Sequence, residues 1–223
     1  METILRAFAS SIVLAWAVGP VAVAEAATAA ANTKPGHERK ADVQARRMVV
    51  EGRKIFRDDT FGSEAWWGDT LRLHEAIAGE KFGGVGPGVS PTTALAVGLK
   101  VDANALPAAL VGQLRAGKVD LDDPATTLAL LRLNAVVGVT GRFDAAGNLR
   151  SMGIQCALCH SDVDDSFAPG IGTRLDGWAN RDLNVGAIVS LAPNLAPIAD
   201  TLGVDVATVK QVLASWGPGR YDA

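Results

Sequence analysis

The sequence predicts a mainly α-helical protein with one main domain. Apolar side chains recur at helical spacing over residues 42–57, with charged side chains on the opposite face. The stretches 104–116 and 124–137 carry helix start and stop signals, and Asp205 is placed to cap a last helix. A chain of 223 residues, 48% of them hydrophobic, is long enough to bury one sizeable core.

The elements between these helices are shorter. Residues 59–82 predict a turn followed by a short helix over 69–78, and the glycine- and proline-rich segment 83–91 predicts a loop. This loop lacks the Gly-Lys-Ser/Thr ending of a phosphate-binding loop, so we interpret it as a connector. Two apolar stretches flanking 144–148 predict a short β-hairpin, and the glycines and prolines of 161–204 exclude any long element there.

The first residues have the pattern of an export signal. Residues 1–24 combine a weakly positive start, an apolar run and a cleavage site of small residues, so the mature chain would begin near Glu25. An uncleaved membrane anchor is the alternative, but Gly19 and Pro20 make the apolar run short for a membrane span. Residues 25–40 predict a flexible leader. The protein is therefore expected in the periplasm or outside the cell, without stable membrane insertion after cleavage.

The charge pattern argues against a nucleic-acid partner. The formal net charge is −3, and basic and acidic residues are mixed along the chain. Proteins that bind nucleic acids usually cluster Lys and Arg on one face or along one helix. The sequence shows no such cluster.

The two cysteines lie close together, in the sequence Cys156-Ala157-Leu158-Cys159-His160. A disulfide across so short a loop would remove little entropy from the unfolded chain, so a structural disulfide explains the pair poorly. A dithiol redox motif is expected in a βαβ unit, and a zinc site needs a second pair of ligands. The sequence offers neither context.

The same five residues predict covalent attachment of haem. In Cys-x-x-Cys-His, one turn of chain presents two thiols that can bond the haem vinyl groups and a histidine that can bind the iron. We therefore predict one haem c attached to Cys156 and Cys159, with His160 as the proximal iron ligand. A ligating histidine usually donates its other ring N–H to an acceptor, and the carbonyl of Pro169 is a candidate. The alternative is that Pro169 only turns the chain.

Beyond this motif, the chain resembles the small soluble cytochromes c. The resemblance implies a helical haem domain over 41–223, with 156–216 as its haem-binding part and with its first and last helices crossing. Gly52 would then let the two helices approach closely, while Phe56 and Trp216 would fill the crossing. The segments that carry the resemblance follow one another in the order 52–56, 156–160, 168–170, 175–177 and 213–216.

The chain departs from this family in two ways. An insertion, residues 58–155, separates the first helix from the haem motif, and residues 161–223 contain no Met and no His where the family has its distal methionine. Larger haem proteins related to the bacterial dihaem peroxidases elaborate the same fold. A relative of that group, or the haem-bearing fragment of a larger multihaem protein, is therefore an alternative identity.

The sixth iron position has three candidate states. His74 would reach the iron from the insertion, the alternative for this residue being a partly exposed helix position. The position would otherwise stay open or hold water. The remaining candidate ligands are Met48, Met152 and Lys210.

Electron transfer with redox partner proteins is the leading functional hypothesis. The rival hypothesis is chemistry at an open iron, either a peroxidase-like enzyme or a gas-binding sensor, in which His74 or Glu75 would be the acid–base group. Some residues keep two interpretations. Trp66 and Trp67 either edge the haem or belong to the core. Asp162, Asp164 and Asp165 either form an acidic patch that docks a basic partner or belong to a solvated loop.

Overall fold

The computed structural model describes residues 36–220 of the chain. About half of these residues are helical and the strands are few and short, which confirms the prediction of a mainly α protein. The predicted export signal, residues 1–24, lies outside the described residues. The chain divides into two compact units, Met1–Glu51 and Gly52–Ala223, a boundary that the sequence did not predict.

The first helix, α1, spans Gly36–Asp58 and buries none of its residues. It begins earlier than predicted, so residues 36–40 of the expected flexible leader are helical, and the rest of that leader lies outside the described residues. The predicted helix is confirmed. Its apolar side chains are exposed, as Val49 at 63% and Ile55 at 44% illustrate.

The expected close approach of a second helix at Gly52 is wrong. A Cβ atom added at Gly52 would meet no other atom within 4 Å, so this glycine faces open space. The close approach occurs instead at Gly186, where an added Cβ would overlap the carbonyl oxygen of Leu213 and come within 3.1 Å of the Trp216 Cβ. Trp216 therefore packs where the last helix contacts the helix of Gly186, and not where it was expected to cross the helix of Gly52.

Short helices form most of the second unit. A π-helical turn, Ala65–Thr70, precedes the first of them, and 3₁₀ turns occur at Glu80–Phe82 and Ala103–Ala105. The predicted loop over 83–91 is confirmed up to Ser90, which caps the next helix. The α-helices are α2 Leu73–Ala78, α3 Pro91–Ala96, α4 Ala108–Arg115, α5 Pro124–Arg132, α6 Ala157–His160, α7 Val185–Ser190, α8 Ala196–Leu202 and α9 Val206–Ser215.

Capping residues explain several of these boundaries. The carboxylates of Asp123 and Asp205 accept hydrogen bonds from backbone N–H groups in the first turns of α5 and α9, as the sequence predicted. Helix α5 was predicted to reach residue 137 but ends at Arg132. Asn134 adopts a left-handed conformation, with φ of 52°, and this ends the helix.

The strands form three pairs. The predicted hairpin is confirmed as β2 Val139–Phe143 paired antiparallel with β3 Leu149–Ile154. Two pairs were not predicted, because their strands are only two or three residues long. They are β1 Val101–Asp102, parallel to β5 Ile171–Gly172, and β4 Ser161–Val163, antiparallel to β6 Arg174–Asp176.

One hydrophobic core joins residues 58–155 to the segment that carries Cys156–His160. The hairpin packs against α2 and the π-helical turn, and α9 packs against α7 and α8. Core side chains come from both segments, among them Leu71, Leu73, Leu131, Val139, Met152, Leu158, Leu183, Val189 and Leu213. Among residues 36–220, no helix combines the length and apolar character that crossing a bilayer requires.

Candidate functional site

The β-hairpin delivers the chain directly into the Cys-x-x-Cys-His motif. Gln155, the residue between β3 and the motif, is 5% exposed. Its backbone N–H donates a 2.9 Å hydrogen bond to the carbonyl of Gly138, and its Nε2 donates a 2.6 Å bond to Oγ1 of Thr140. The start of the motif is thus fixed to the first strand of the hairpin.

The two residues between the cysteines anchor the motif in the core. Ala157 is fully buried and Leu158 is 8% exposed, and both belong to the single helical turn α6. A Cβ atom added at Gly138 would overlap the backbone of Leu158, and Gly138 has a positive φ of 79°. Since an L side chain rarely adopts this conformation, a glycine is needed where the hairpin meets the turn.

Residues 177–180 close the turn by donating backbone hydrogen bonds to carbonyl groups of the turn. The backbone N–H of Gly177 donates a 2.8 Å hydrogen bond to the carbonyl of His160, and that of Asn180 donates a 3.0 Å bond to the carbonyl of Cys159. Strand β4 starts immediately after His160 with Ser161, which is fully buried. The end of the motif is therefore held by backbone contacts from residues 177–180 and by the β4–β6 pair.

The side chains of the motif are accessible. Cys156 and His160 are exposed, Cys159 is half-buried, and both cysteines are free thiols. Burial raises the pKa of the Cys159 thiol, and the neighbouring Cys156 adds to this effect. The thiol of Cys159 is therefore less readily deprotonated than that of a solvent-exposed cysteine.

The donor set fits a covalently attached haem. That group needs two accessible thiols and one accessible imidazole on the same turn, and the turn presents Cys156, Cys159 and His160 in that way. Trp178 belongs to the segment that closes the turn and is 66% exposed. A porphyrin face would cover such an indole favourably.

A cluster of side chains that binds a metal ion directly would be a different kind of site. Within residues 36–220, no three or more His, Cys, Asp or Glu side chains are grouped so that they could hold a metal ion. Iron held in a porphyrin would not need such a group, because the porphyrin itself supplies four of its ligands. An open groove of about 670 Å³ lies between α4 and residues 166–173, lined by Val111, Arg115 and Phe167 among others, but not by the residues of the motif.

His74 lies on α2, which packs against β3. Its Nδ1 atom is buried without a hydrogen-bond partner. Burial lowers the pKa of His74, and the opposing effects of Glu75, the Gly68 backbone and Asp69 do not compensate. The imidazole is thus neutral at neutral pH, the form that binds iron. Within residues 36–220, three cavities are lined by neither His74 nor His160.

The other candidate ligands have different surroundings. Met48 lies on the part of α1 that belongs to the first unit and is 62% exposed. Met152 is 2% exposed and belongs to the hydrophobic core. Lys210 is exposed on α9. Of these three side chains, that of Met152 packs in the core and is not accessible to a ligand.

The remaining predicted residues have structural contacts. Pro169 lies in a tight turn in which Ala168 and Ile171 pair, and the structure shows no hydrogen bond from His160 to its carbonyl. The carboxylate of Asp164 organises the following loop, because it accepts hydrogen bonds from the backbone of Ser166 and Thr173. These contacts favour the loop interpretation over an acidic docking patch.

The two tryptophans of the insertion differ from each other. Trp67 packs against the hydrophobic core, which confirms the core interpretation for this residue. Trp66, its neighbour on the π-helical turn, is 41% exposed. Because their side chains lie in such different environments, the adjacent pair does not form a single aromatic surface.

Three residues beside the turn were missed by the sequence analysis. Asn180 and Trp178 belong to the closing segment, and a single Asn or Trp in a turn-rich stretch carries no recognisable signal. Lys100 is 5% exposed, and its position inside the apolar stretch 94–101 was the available signal for a buried charge. Comparison with protein-family models, with curated proteins and with solved structures finds no match to this chain.

Proposed function

We propose that the chain carries one haem c and transfers electrons through it. The observation that supports this most is the geometry of the Cys156–His160 turn, in which the two inner residues are buried while both thiols and the imidazole remain accessible. The haem would be bound through Cys156 and Cys159, and His160 would be its proximal iron ligand. The haem supplies the reversible ferrous–ferric couple.

The residues of the turn have separate roles in this proposal. Each cysteine S–H adds across one vinyl group, so that a carbon–sulfur bond forms, the proton moves to the other vinyl carbon and no oxidant is consumed. His160 would bind the iron through its imidazole. The buried Leu158 keeps the two sulfurs and the imidazole on the outer side. No side chain has to act as an acid or base during electron transfer.

The direct test is to produce the full chain in a bacterial host that exports proteins and attaches haem. Haem should remain with the polypeptide after denaturation, and its reduced pyridine complex should show the spectrum of a haem with two thioether bonds. The variants Cys156→Ala and Cys159→Ala should each retain at most one bond, with a shifted pyridine spectrum. His160→Ala should lose the proximal ligand, whereas the matched variant His37→Ala, on exposed α1, should match the wild type.

One result would refute the proposal. If the exported protein is colourless and both Cys156 and Cys159 react completely with an alkylating reagent, no haem is attached. A protein that binds haem only reversibly would also contradict it, because denaturation would then separate colour from chain.

The sixth iron position decides between electron transfer and the rival function. Because residues 161–223 contain no Met and no His, the sixth position is either open or bound by a residue other than the family's distal methionine, such as His74. A sharp low-spin ferrous spectrum that CO does not change would exclude an open site. If His74→Ala leaves that low-spin spectrum unchanged, His74 is not the ligand. A CO-binding protein that also turns over peroxide would instead be a peroxidase-like enzyme, and CO binding without turnover would favour a sensor.

We further propose that the protein is exported and exchanges electrons with redox proteins in the same compartment. Support comes from the N-terminal sequence pattern over residues 1–24. Amino-terminal sequencing of the mature protein should find Glu25 or a close neighbour as the first residue. An intact Met1 would contradict cleavage.

A further inference from the structure

Lys100 is a buried cation of the inserted segment, at its contact with the segments that flank residues 156–160, the haem-attachment turn. Its side chain is only 6% exposed, and its Nζ lies 3.3 Å from Oδ1 of Asp162 and 2.5 Å from Oδ2 of Asp182. Burial alone would lower the pKa of Lys100, but the hydrogen bond to Asp182 and the charge of Asp162 outweigh burial and raise the pKa. The ammonium group therefore stays charged and holds both carboxylates.

These two carboxylates lie on different segments around the turn. Asp162 is the second residue after His160 and belongs to β4. Asp182 follows residues 177–180, which close the turn through backbone hydrogen bonds. Lys100 thus joins the strand that leaves the turn to the segment that closes it.

Asn180 fixes the closing segment to the same region of the insertion. It is 1% exposed, and its backbone N–H donates to the carbonyl of Cys159. Its side-chain Nδ2 donates a 2.8 Å hydrogen bond to the carbonyl of Gly98, and its Oδ1 accepts a 3.2 Å bond from the N–H of Asp182. A Cβ atom added at Gly98 would overlap the carbonyl of Asp182, so the two segments are in direct contact.

The backbone of Lys100 contacts the other side of the turn. Its carbonyl accepts a 2.9 Å hydrogen bond from the N–H of Val137. The next residue, Gly138, packs on the backbone of Leu158 and accepts the hydrogen bond of Gln155. Lys100 is therefore connected both to the hairpin that enters the turn and to the segments that follow it.

We propose that Lys100 and Asn180 are positioning residues for the haem-attachment turn, acting through the backbone of residues 156–160. This inference rests on the proposed function. The contacts that carry it lead from the inserted segment to the carbonyl of Cys159, to β4 and to the hairpin. They give the insertion a role, because residues 97–100 supply the surface on which the turn is held at a fixed geometry.

A general contribution to stability would have different consequences from positioning. If Lys100 only stabilised the fold, its loss would accelerate hydrogen exchange across the whole core. If it positions the turn, exchange should increase first at the amides of Gly177 and Asn180, which donate to the carbonyls of His160 and Cys159. Local hydrogen exchange therefore separates the two roles.

The experiment compares hydrogen exchange in the exported full chain and its variants, followed by mass spectrometry. Lys100→Met should accelerate exchange over residues 177–182 by about tenfold, with little change in α9. Asp182→Asn should give a smaller local increase. This second variant keeps the test decisive if Lys100→Met does not fold, because the side chain of Asp182 is 67% exposed and tolerates an amide. The control is Lys81→Met, since Lys81 is 72% exposed and its contacts, a 3.9 Å pair with Asp123 and the ring of Phe82, lie away from the turn.

The spectrum of the loaded protein gives a second measurement. Lys100→Met should broaden the visible bands and shift the reduction potential, because the imidazole then samples more than one orientation, and Lys81→Met should do neither. Unchanged exchange and an unchanged spectrum in Lys100→Met, or in Asp182→Asn if the first variant does not fold, would overturn the positioning role. Faster exchange in α9 equal to that in 177–182 would also overturn it. A colourless wild-type protein would refute the haem proposal itself, whatever the exchange results.

Discussion

The Nε atom of Arg57, at the end of α1, donates a 2.8 Å hydrogen bond to Oδ2 of Asp176 in β6. On the other side of the same carboxylate, Nε of Arg174 lies 3.0 Å from Oδ1, and the Ser161 hydroxyl donates a 3.2 Å hydrogen bond to that oxygen. The Arg174 side chain is 8% exposed and one of its terminal nitrogens has no partner. Arg53 lies farther away, with its Nε 3.8 Å from Oδ2. One carboxylate thus faces three guanidinium groups next to the strand that leaves the Cys156–His160 turn.

We expect Asp176→Asn to destabilise the protein. The substitution keeps the shape of the side chain but removes the carboxylate that pairs with the buried Arg174, and only the more distant charges of Asp102 and Asp58 remain. Breaking such a pair is costly. Because Asp176 is 21% exposed, water partly compensates, and we expect a loss of roughly 2 kcal/mol in the free energy of unfolding. Urea unfolding followed by circular dichroism measures it. The exposed Asp200→Asn, in α8, is the control and should change stability little. Equal stabilities of the two variants would contradict the compensating role.

The same carboxylate predicts how stability depends on acid. Burial alone would raise the pKa of Asp176, but the hydrogen bond and charge of Arg57 and the charge of Arg174 hold it below its ordinary value of 3.8. The stabilisation is therefore complete above the unfolded-state pKa and is lost as pH falls through the lower folded-state pKa. Between about pH 5 and the acid transition, Asp176→Asn should lose less stability than the wild type. Parallel curves for Asp176→Asn and the wild type would exclude this linkage.

Gly138→Ala should disrupt the contact between the hairpin and the Cys156–His160 turn. Gly138 has a positive φ, and the added methyl group would overlap the backbone of Leu158, which cannot move without moving both cysteines. We expect a loss of about 3 kcal/mol or more, together with less haem attached per chain. The control Gly112→Ala lies in α4, where the methyl group meets no atom within 4 Å, and it should raise stability by about 0.5–1 kcal/mol. Normal stability and haem content in Gly138→Ala would show that the turn can shift.

The sequence predicted those elements whose signals are local. The caps Asp123 and Asp205 and the polar turn of the hairpin act within a few residues, so the α5 start, the α9 start and the hairpin appear where expected. Boundaries set by backbone conformation were less accurate. The end of α5 depends on Asn134 adopting positive φ, which its residue type permits but does not require.

Contacts between distant segments could not be predicted from one sequence. The motif itself named Cys156, Cys159 and His160, because their spacing alone defines the donor set. The residues that hold this turn, Lys100 and Asn180, come from two other segments and meet only in the folded chain. The helical spacing of apolar residues likewise predicted α1. It could not predict that the apolar face of α1 is exposed, because spacing shows which residues share a face but not what packs against it.

Gly52 and Gly186 form a matched pair for testing which helix contact requires a glycine. Both lie within α-helices, but an added methyl group meets no atom within 4 Å at Gly52, whereas at Gly186 it overlaps the Leu213 carbonyl between α7 and α9. Gly186→Ala should therefore force the two helices apart and cost roughly 2–4 kcal/mol. Gly52→Ala should gain about 0.5–1 kcal/mol, since alanine loses less backbone entropy in a helix. Thermal and urea unfolding of both variants would decide. If Gly52→Ala is instead the less stable variant, a helix does pack on Gly52 as the resemblance to cytochromes c implied, because only such a helix would make the added methyl group unfavourable.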